Sequence, residues 1–153
     1  MRNSKPILLI EDDDVDAMTT QRALEEIKVT NKLIHKIDGE EGLEYLRDES
    51  NQTPCVILLD LNMPRMNGSE FLKIAKADTA IRRIPVVVLT TSDSDEGIVE
   101  SYDLGVAGYI VKPVGYQQFV EAMRTIDMYW TLSRLPEGGQ QLSSSSVAYR
   151  SAT

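Results

Sequence analysis

Several side chains that could do chemistry come directly after short apolar runs of the chain. They are the acids Glu11 and Asp12, then Asp60, then Thr90, and then Lys112. Carboxylates are the ligands that a hard cation such as Mg²⁺ prefers, whereas a hydroxyl and an ammonium group suit phosphoryl oxygens. Asp60 could then attack phosphorus and form an aspartyl-phosphate. These residue types predict metal-assisted phosphoryl transfer, with Mg²⁺, or alternatively Mn²⁺, as the metal.

The apolar runs before these side chains are typical of strands buried on both faces of a parallel sheet. They span residues 7–10, 54–59, 85–89 and 107–111, and a less apolar run at residues 32–37 is typical of an edge strand. Apolar residues at helical spacing follow each run. Five strand–helix units predict an α/β fold, namely a doubly wound, flavodoxin-like (βα)5 domain whose five-stranded parallel sheet has the order 2-1-3-4-5.

In that strand order the carboxyl ends of strands one, three, four and five meet at one edge of the sheet, where open α/β sheets bind their ligands. We therefore expect the side chains that follow these strands to form one site. Each of these side chains could also have an ordinary structural role instead. Lys112 could be a surface lysine, Thr90 a helix cap, and residues 11–14 the solvated start of a helix. We expect Asp13 or Asp14 to cap that helix, and Glu11 and Asp12 to face the site.

His35 is the only histidine of the sequence and lies within the predicted edge strand. No other suitable metal ligand lies near it in the sequence. We interpret it as a strand-surface residue, neither a catalyst nor a metal ligand.

The composition limits the classes of function. The formal net charge of -8 argues against a general nucleic-acid binder, because such proteins neutralise phosphates with Lys and Arg. Cys55 is the only cysteine, which excludes an internal disulfide and indicates a reducing compartment. No apolar run is long enough for a membrane span or a signal peptide, so we expect a cytoplasmic protein without a nucleic-acid or membrane partner.

The end of the chain differs in composition from the rest. From Pro136 onward it is rich in Gly, Gln and Ser and lacks a hydrophobic period. The sequence therefore predicts a domain over residues 1–133 and a disordered tail over residues 134–153, too short for an output domain.

Four segments resemble the receiver domain of two-component response regulators. They read ILLIEDD at residues 7–13, LLDLNMPRMNG at 58–68, PVVVLTTS at 85–92 and GYIVKP at 108–113. The resemblance covers about residues 5–133. It implies that Asp60 accepts a phosphoryl group from the phosphohistidine of a sensor kinase. It also implies that Asp12, Asp60 and the backbone carbonyl of Asn62 bind the metal directly, and that Glu11 acts through water.

The same resemblance implies a switch. Thr90 would bond to the phosphoryl group, and the space left behind it would let Tyr109 turn inward. Lys112 would balance phosphoryl charge and precede a cis peptide bond to Pro113. Thr91 stands where many receivers have a smaller residue, which suggests slow loss of the phosphoryl group.

A narrower likeness is carried by residues 101–114 together with Phe119, Tyr129 and Trp130. It is to stand-alone regulators paired with bacterial phytochromes and related hybrid kinases. This likeness implies a phytochrome-type or hybrid kinase as the partner. It also implies a homodimer through the fourth predicted helix, the fifth strand and the last helix. Tyr102, Tyr129 and Trp130 are the candidate interface residues, since adjacent Tyr129 and Trp130 cannot both point into the core.

Two other classes of protein use a similar fold or nucleophile. A haloacid-dehalogenase-type phosphatase carries its nucleophile on the first strand in an Asp-x-Asp arrangement, whereas Asp60 follows the third. A flavodoxin-like flavin carrier needs a phosphate loop rich in Ser, Thr and Gly, whereas residues 11–14 are all acidic. A phosphorylation switch, which is not an enzyme with a separate substrate, is therefore favoured. Whether it acts as an effector, a phosphate sink or a relay intermediate stays open.

Overall fold

Five parallel strands form one sheet of order β2-β1-β3-β4-β5. The computed structural model describes residues 5–61, 68–90, 105–111 and 115–132, with the backbone alone for residues 90, 111 and 129–132. The strands are β1 (Ile7–Ile10), β2 (Leu33–Lys36), β3 (Val56–Asp60), β4 (Val86–Thr90) and β5 (Gly108–Val111). The predicted fold class and strand order are confirmed.

Within the described ranges, helices pack on both faces of the sheet. They are α1 (Asp14–Glu26), α2 (Gly39–Arg47), α3 (Gly68–Ala77) and the C-terminal helix (Tyr116–Leu132). α1 and the C-terminal helix share one core cluster, and α2 and α3 share the other. The helix predicted to follow the run at residues 85–89 and the predicted tail at residues 134–153 lie outside the described residues.

The strands divide their side chains between these two cores. In β1, Ile7 and Leu9 face α1 and the C-terminal helix. Leu8 and Ile10 face α2 and α3 on the other side of the sheet. All four are fully buried. This explains why the run is apolar at every position, since a strand of a doubly covered sheet has no solvent face.

Side-chain caps fix where the first two helices begin. The Asp13 carboxylate accepts hydrogen bonds from the backbone N–H groups of Val15 at 2.8 Å and Asp16 at 3.0 Å. Asp38 caps α2 through the Glu41 N–H at 2.9 Å, and the Glu41 carboxylate reaches back to the Ile37 N–H at 3.1 Å. The prediction that Asp13 or Asp14 caps α1 is confirmed, with Asp13 as the cap.

β2 lies at the edge of the sheet, as predicted, and all four of its residues are partly exposed. Leu46 of α2 packs against the core cluster of α2 and α3 but is only half-buried, because it also lines an open cleft together with Pro54 and Ile81. Among the helices in the described ranges, none has the length and apolar character needed to cross a membrane.

Candidate functional site

Three carboxylates meet at the carboxyl edge of the sheet. Glu11, Asp12 and Asp60 each present one oxygen such that all three oxygens lie within 4.8 Å of one another. Glu11 is 0% exposed and Asp60 is 4% exposed, while Asp12 is exposed. The predicted convergence of β1 and β3 therefore holds, and Asp12 forms the solvent side of the cluster.

The turn between β1 and α1 positions the first two acids. The Glu11 N–H continues the sheet ladder by donating to the Lys36 carbonyl at 2.9 Å. The Glu11 carboxylate accepts from the Asp13 N–H at 3.3 Å, and Asp13 in turn caps α1. Each residue of the turn thus fixes the next, so the helix cap and the acid pair form one local structure.

β3 positions Asp60 from the centre of the sheet. Asp60 pairs in register with Leu89 of β4, and the following Leu61 N–H donates to the Leu89 carbonyl at 3.2 Å. The Gly68 N–H, at the start of α3, donates to the Leu61 carbonyl at 3.0 Å. A Cβ at Gly68 would meet the Leu61 Cα and lie 2.6 Å from the Asp60 carbonyl oxygen. The backbone under Asp60 is therefore held closely from both sides.

The other predicted phosphoryl-binding residues follow the neighbouring strands. Thr90 is the last residue of β4, and its backbone pairs with Val111, the last residue of β5. Lys112 directly follows Val111 in the sequence. The side chain of Thr90 lies outside the described residues, as do Lys112, Pro113 and Asn62 entirely.

The predicted switch and interface residues are placed in part. Tyr109 lies in β5, is 6% exposed and belongs to the core cluster of α2 and α3. The backbone of Tyr129 and Trp130 belongs to the C-terminal helix, but their side chains are outside the described residues. Tyr102 is outside them as well. The interface stays a prediction.

One contact at the site was missed by the sequence analysis. The His35 ring is half-buried, and its Nε2 lies 2.7 Å from the backbone carbonyl oxygen of Glu11. The strand-surface interpretation of His35 is therefore incomplete. A signal was present in the sequence, since alternation along β2 puts His35 on the same side as Leu33, which packs in the core with α1.

The acid cluster fits a hard divalent cation. Its donors are carboxylate oxygens, which Mg²⁺ and Mn²⁺ accept as ligands. Two of the three are buried, and gathering buried negative charges is costly unless a cation balances them. Asp12 leaves one side open to solvent, which suits a metal that keeps several waters. A metal here would be held by Glu11, Asp12 and Asp60.

The chain is similar in sequence to known proteins. The response regulator receiver domain matches residues 7–124. The probable methanogenesis regulatory protein FilR2 of Methanothrix harundinacea is 37% identical over 127 residues, which are 81% of this chain and 82% of that protein. The response regulator Rcp1 of Synechocystis sp. is 35% identical over 130 residues, or 82% of this chain and 88% of Rcp1.

Solved structures agree with these matches. One is the phosphorylated cyanobacterial phytochrome response regulator RcpA, which superposes with a TM-score of 0.78 at 38% sequence identity. The match covers 90% of this chain and 100% of RcpA. The Mn²⁺-bound form of Rcp1 superposes with a TM-score of 0.76 at 33% identity, covering 88% of this chain and 99% of that one. Matched over most of its length in sequence and in structure, the chain belongs to the response regulator receiver domain family.

Proposed function

We propose that this protein is a phosphorylation switch in which Asp60 accepts a phosphoryl group from the phosphohistidine of a sensor histidine kinase. The observation that carries the proposal is the cluster of Glu11, Asp12 and Asp60, with Asp60 almost fully buried at the end of the central strand. A nucleophile in such a place has fixed orientation and low competition from bulk water. Membership of the receiver domain family supports the same chemistry.

The transfer would proceed by attack of an Asp60 carboxylate oxygen on phosphorus. The new O–P bond forms as the P–N bond of the phosphohistidine breaks, and the departing imidazole keeps the electron pair and takes up a proton. A divalent cation, when bound, neutralises charge on the transferring group. Lys112 and Thr90, which follow β5 and end β4, would contribute an ammonium and a hydroxyl to the same oxygens. The protein modifies itself and has no separate substrate.

The partner kinase would be of the phytochrome type or a related hybrid. The support is the likeness to RcpA, which is a cyanobacterial phytochrome response regulator. The response regulator Rcp1 was solved with Mn²⁺ bound, which supports a divalent metal at this site. For this chain we propose Mg²⁺ as the usual ion. Cys55 is the only cysteine of the sequence, which suits a reducing cytoplasm.

Phosphorylation would act by shifting the population between two surfaces. The added charge and oxygens next to Thr90 would draw its hydroxyl, and Tyr109 would hold the core position that this movement favours. The surface that this shift changes would include β5 and the C-terminal helix. Met128 of that helix is 57% exposed, and Tyr129 and Trp130 follow it in the sequence. We propose that these three residues contribute to an apolar interface there. We assign it to a homodimer, which light scattering with and without phosphorylation tests. A Trp130→Ala variant that dimerises normally would contradict the assignment.

Intact-mass spectrometry tests the phosphorylation itself. The wild-type protein incubated with acetyl phosphate and Mg²⁺ should gain the mass of one phosphoryl group. The gain should vanish with EDTA and in Asp60→Asn, which preserves the size of the side chain but removes the nucleophile. A gain that persists in Asp60→Asn would refute the proposed acceptor. If acetyl phosphate gives no gain, a phosphorylated histidine kinase domain is the donor to use, and failure with both would refute the function.

A further inference from the structure

His35 of the edge strand makes a contact that links β2 to the acid cluster. Its Nε2 lies 2.7 Å from the Glu11 carbonyl oxygen. A carbonyl oxygen only accepts hydrogen bonds, so Nε2 must carry the proton in this contact. The bond is short, and its partners are separated by 24 residues in the chain. It therefore joins two segments that share no helix or turn.

The contact occurs where the sheet ladder runs out. β1 and β2 pair in register up to Ile10 and Lys36, and the Glu11 N–H still donates to the Lys36 carbonyl. If the parallel ladder continued, the Glu11 carbonyl would accept a hydrogen bond from a backbone N–H beyond Lys36. β2 ends at Lys36, and the residue whose N–H would continue the ladder to the Glu11 carbonyl is Asp38, two positions further along the chain. The imidazole supplies a donor to the Glu11 carbonyl at this point.

We propose that His35 is a positioning residue for the metal-binding acids, acting through the Glu11 carbonyl and not as a ligand. The proposal rests on the function proposed above. The Glu11 carbonyl belongs to the peptide that joins Glu11 to Asp12, so fixing it fixes the direction in which the chain leaves β1. Both carboxylates of the pair depend on that direction. Partners that orient metal ligands from behind typically change metal affinity by ~10- to 100-fold when removed.

The variants His35→Leu and His35→Gln separate this role from simple packing. His35→Leu removes the donor and keeps apolar bulk, whereas His35→Gln keeps an amide N–H at a reach similar to that of Nε2. Leu33→Ala is the matched control, since Leu33 lies on the same strand and the same side but pairs with Ile7, at the far end of β1. Leu33→Ala should lower stability without changing the metal site.

Calorimetric titration with Mg²⁺ gives the first readout. We expect His35→Leu to weaken Mg²⁺ binding by about tenfold, His35→Gln to restore most of the affinity, and Leu33→Ala to bind as the wild type does. The phosphorylation rate of His35→Leu should fall at limiting Mg²⁺ and return to the wild-type rate at saturating Mg²⁺. A wild-type affinity in His35→Leu, or a rate defect that persists at saturation, would overturn the proposal.

NMR of the metal-free wild-type protein gives a readout that needs no variant. His35 is the only histidine, so an untagged protein has one imidazole to assign. We expect its Nε2 to carry an exchange-protected proton, and a neutral ring protonated at Nδ1 instead would contradict the contact. The two proposals fail separately. Wild-type protein that binds no Mg²⁺ would overturn both, whereas normal binding and phosphorylation of Asp60 with an unaffected His35→Leu would overturn only the role of His35.

Discussion

At the scale of single residues, Gly68 shows how closely the backbone under the acceptor is packed. A Cβ there would lie 2.6 Å from the Asp60 carbonyl oxygen, and backbone atoms cannot move aside as a flexible side chain can. Gly68→Ala should therefore lower the free energy of unfolding by roughly 1–3 kcal/mol, the usual cost of overpacking. It should also slow phosphorylation, because the strain displaces Asp60. Urea denaturation and the rate of mass gain with acetyl phosphate measure the two effects.

Gly42 provides the matched control for that prediction. A Cβ at Gly42 would lie 2.5 Å from Cδ1 of Ile10, the far end of a side chain, and not against backbone. Gly42→Ala should also be destabilising, but Asp60 should keep its position and its phosphorylation rate. Equal losses of rate in the two variants would show that the effect comes from stability and not from the backbone behind Asp60.

At the scale of elements, α1 depends on its cap. Asp13 accepts two backbone hydrogen bonds from the first turn of the helix. Asp13→Ala should lower the free energy of unfolding by about 1 kcal/mol. Asp13→Asn keeps a capping oxygen and should leave the free energy of unfolding nearly unchanged. Asp14→Ala also removes one negative charge from the start of the helix, but it leaves the Asp13 cap in place. Thermal or urea unfolding measures all three. A loss in Asp14→Ala as large as that in Asp13→Ala would attribute the effect to charge.

The contact between α1 and the C-terminal helix should depend on pH. The Tyr116 hydroxyl donates to the Glu26 carboxylate at 2.8 Å, while Arg22 lies 4.8 Å from the centre of the ring. Burial raises the pKa of Tyr116 above its ordinary value of 10.0, and the hydrogen bond to Glu26 raises the pKa further. The folded protein thus holds this proton more tightly than the unfolded chain does.

The sign of the effect follows from that difference in pKa. The contribution of Tyr116 to stability is fully present below the ordinary tyrosine value of 10.0, and it is lost as the pH rises through the higher folded value. We therefore expect the difference in stability between wild type and Tyr116→Phe to be constant near neutral pH and to shrink at alkaline pH. Urea denaturation of the two proteins side by side measures this difference. A gap that widens with rising pH would contradict the assigned contact.

At the scale of the whole molecule, metal binding should stabilise the fold. A ligand that binds only the folded state adds stability that grows with its concentration, by about 2.7 kcal/mol at a hundredfold excess over its dissociation constant. The melting temperature of the wild-type protein should therefore rise with Mg²⁺ and fall back with EDTA. Asp60→Asn should show a much smaller rise. An equal rise in both proteins would place the metal elsewhere.

The fold class and the strand order could be predicted from the sequence because they follow from local patterns. Runs such as residues 56–59 are apolar at every position, so they had to be covered on both faces, and the residues after them had to meet at one edge. The contact of His35 with Glu11 and the close approach at Gly68 could not be predicted in this way. Both depend on how far one side chain or one Cβ reaches between segments that are distant in the chain, and no periodicity encodes such a distance.

The central claim is that Asp60 accepts the phosphoryl group, and locating the modified residue tests it most directly. Borohydride reduces an acyl phosphate to an alcohol, so an aspartyl-phosphate becomes homoserine. After phosphorylation in the presence of Mg²⁺ and reduction, tandem mass spectrometry should find homoserine at position 60, and none when EDTA is present. Homoserine at Asp12 or another acid, or a phosphoryl group that resists reduction, would contradict the account.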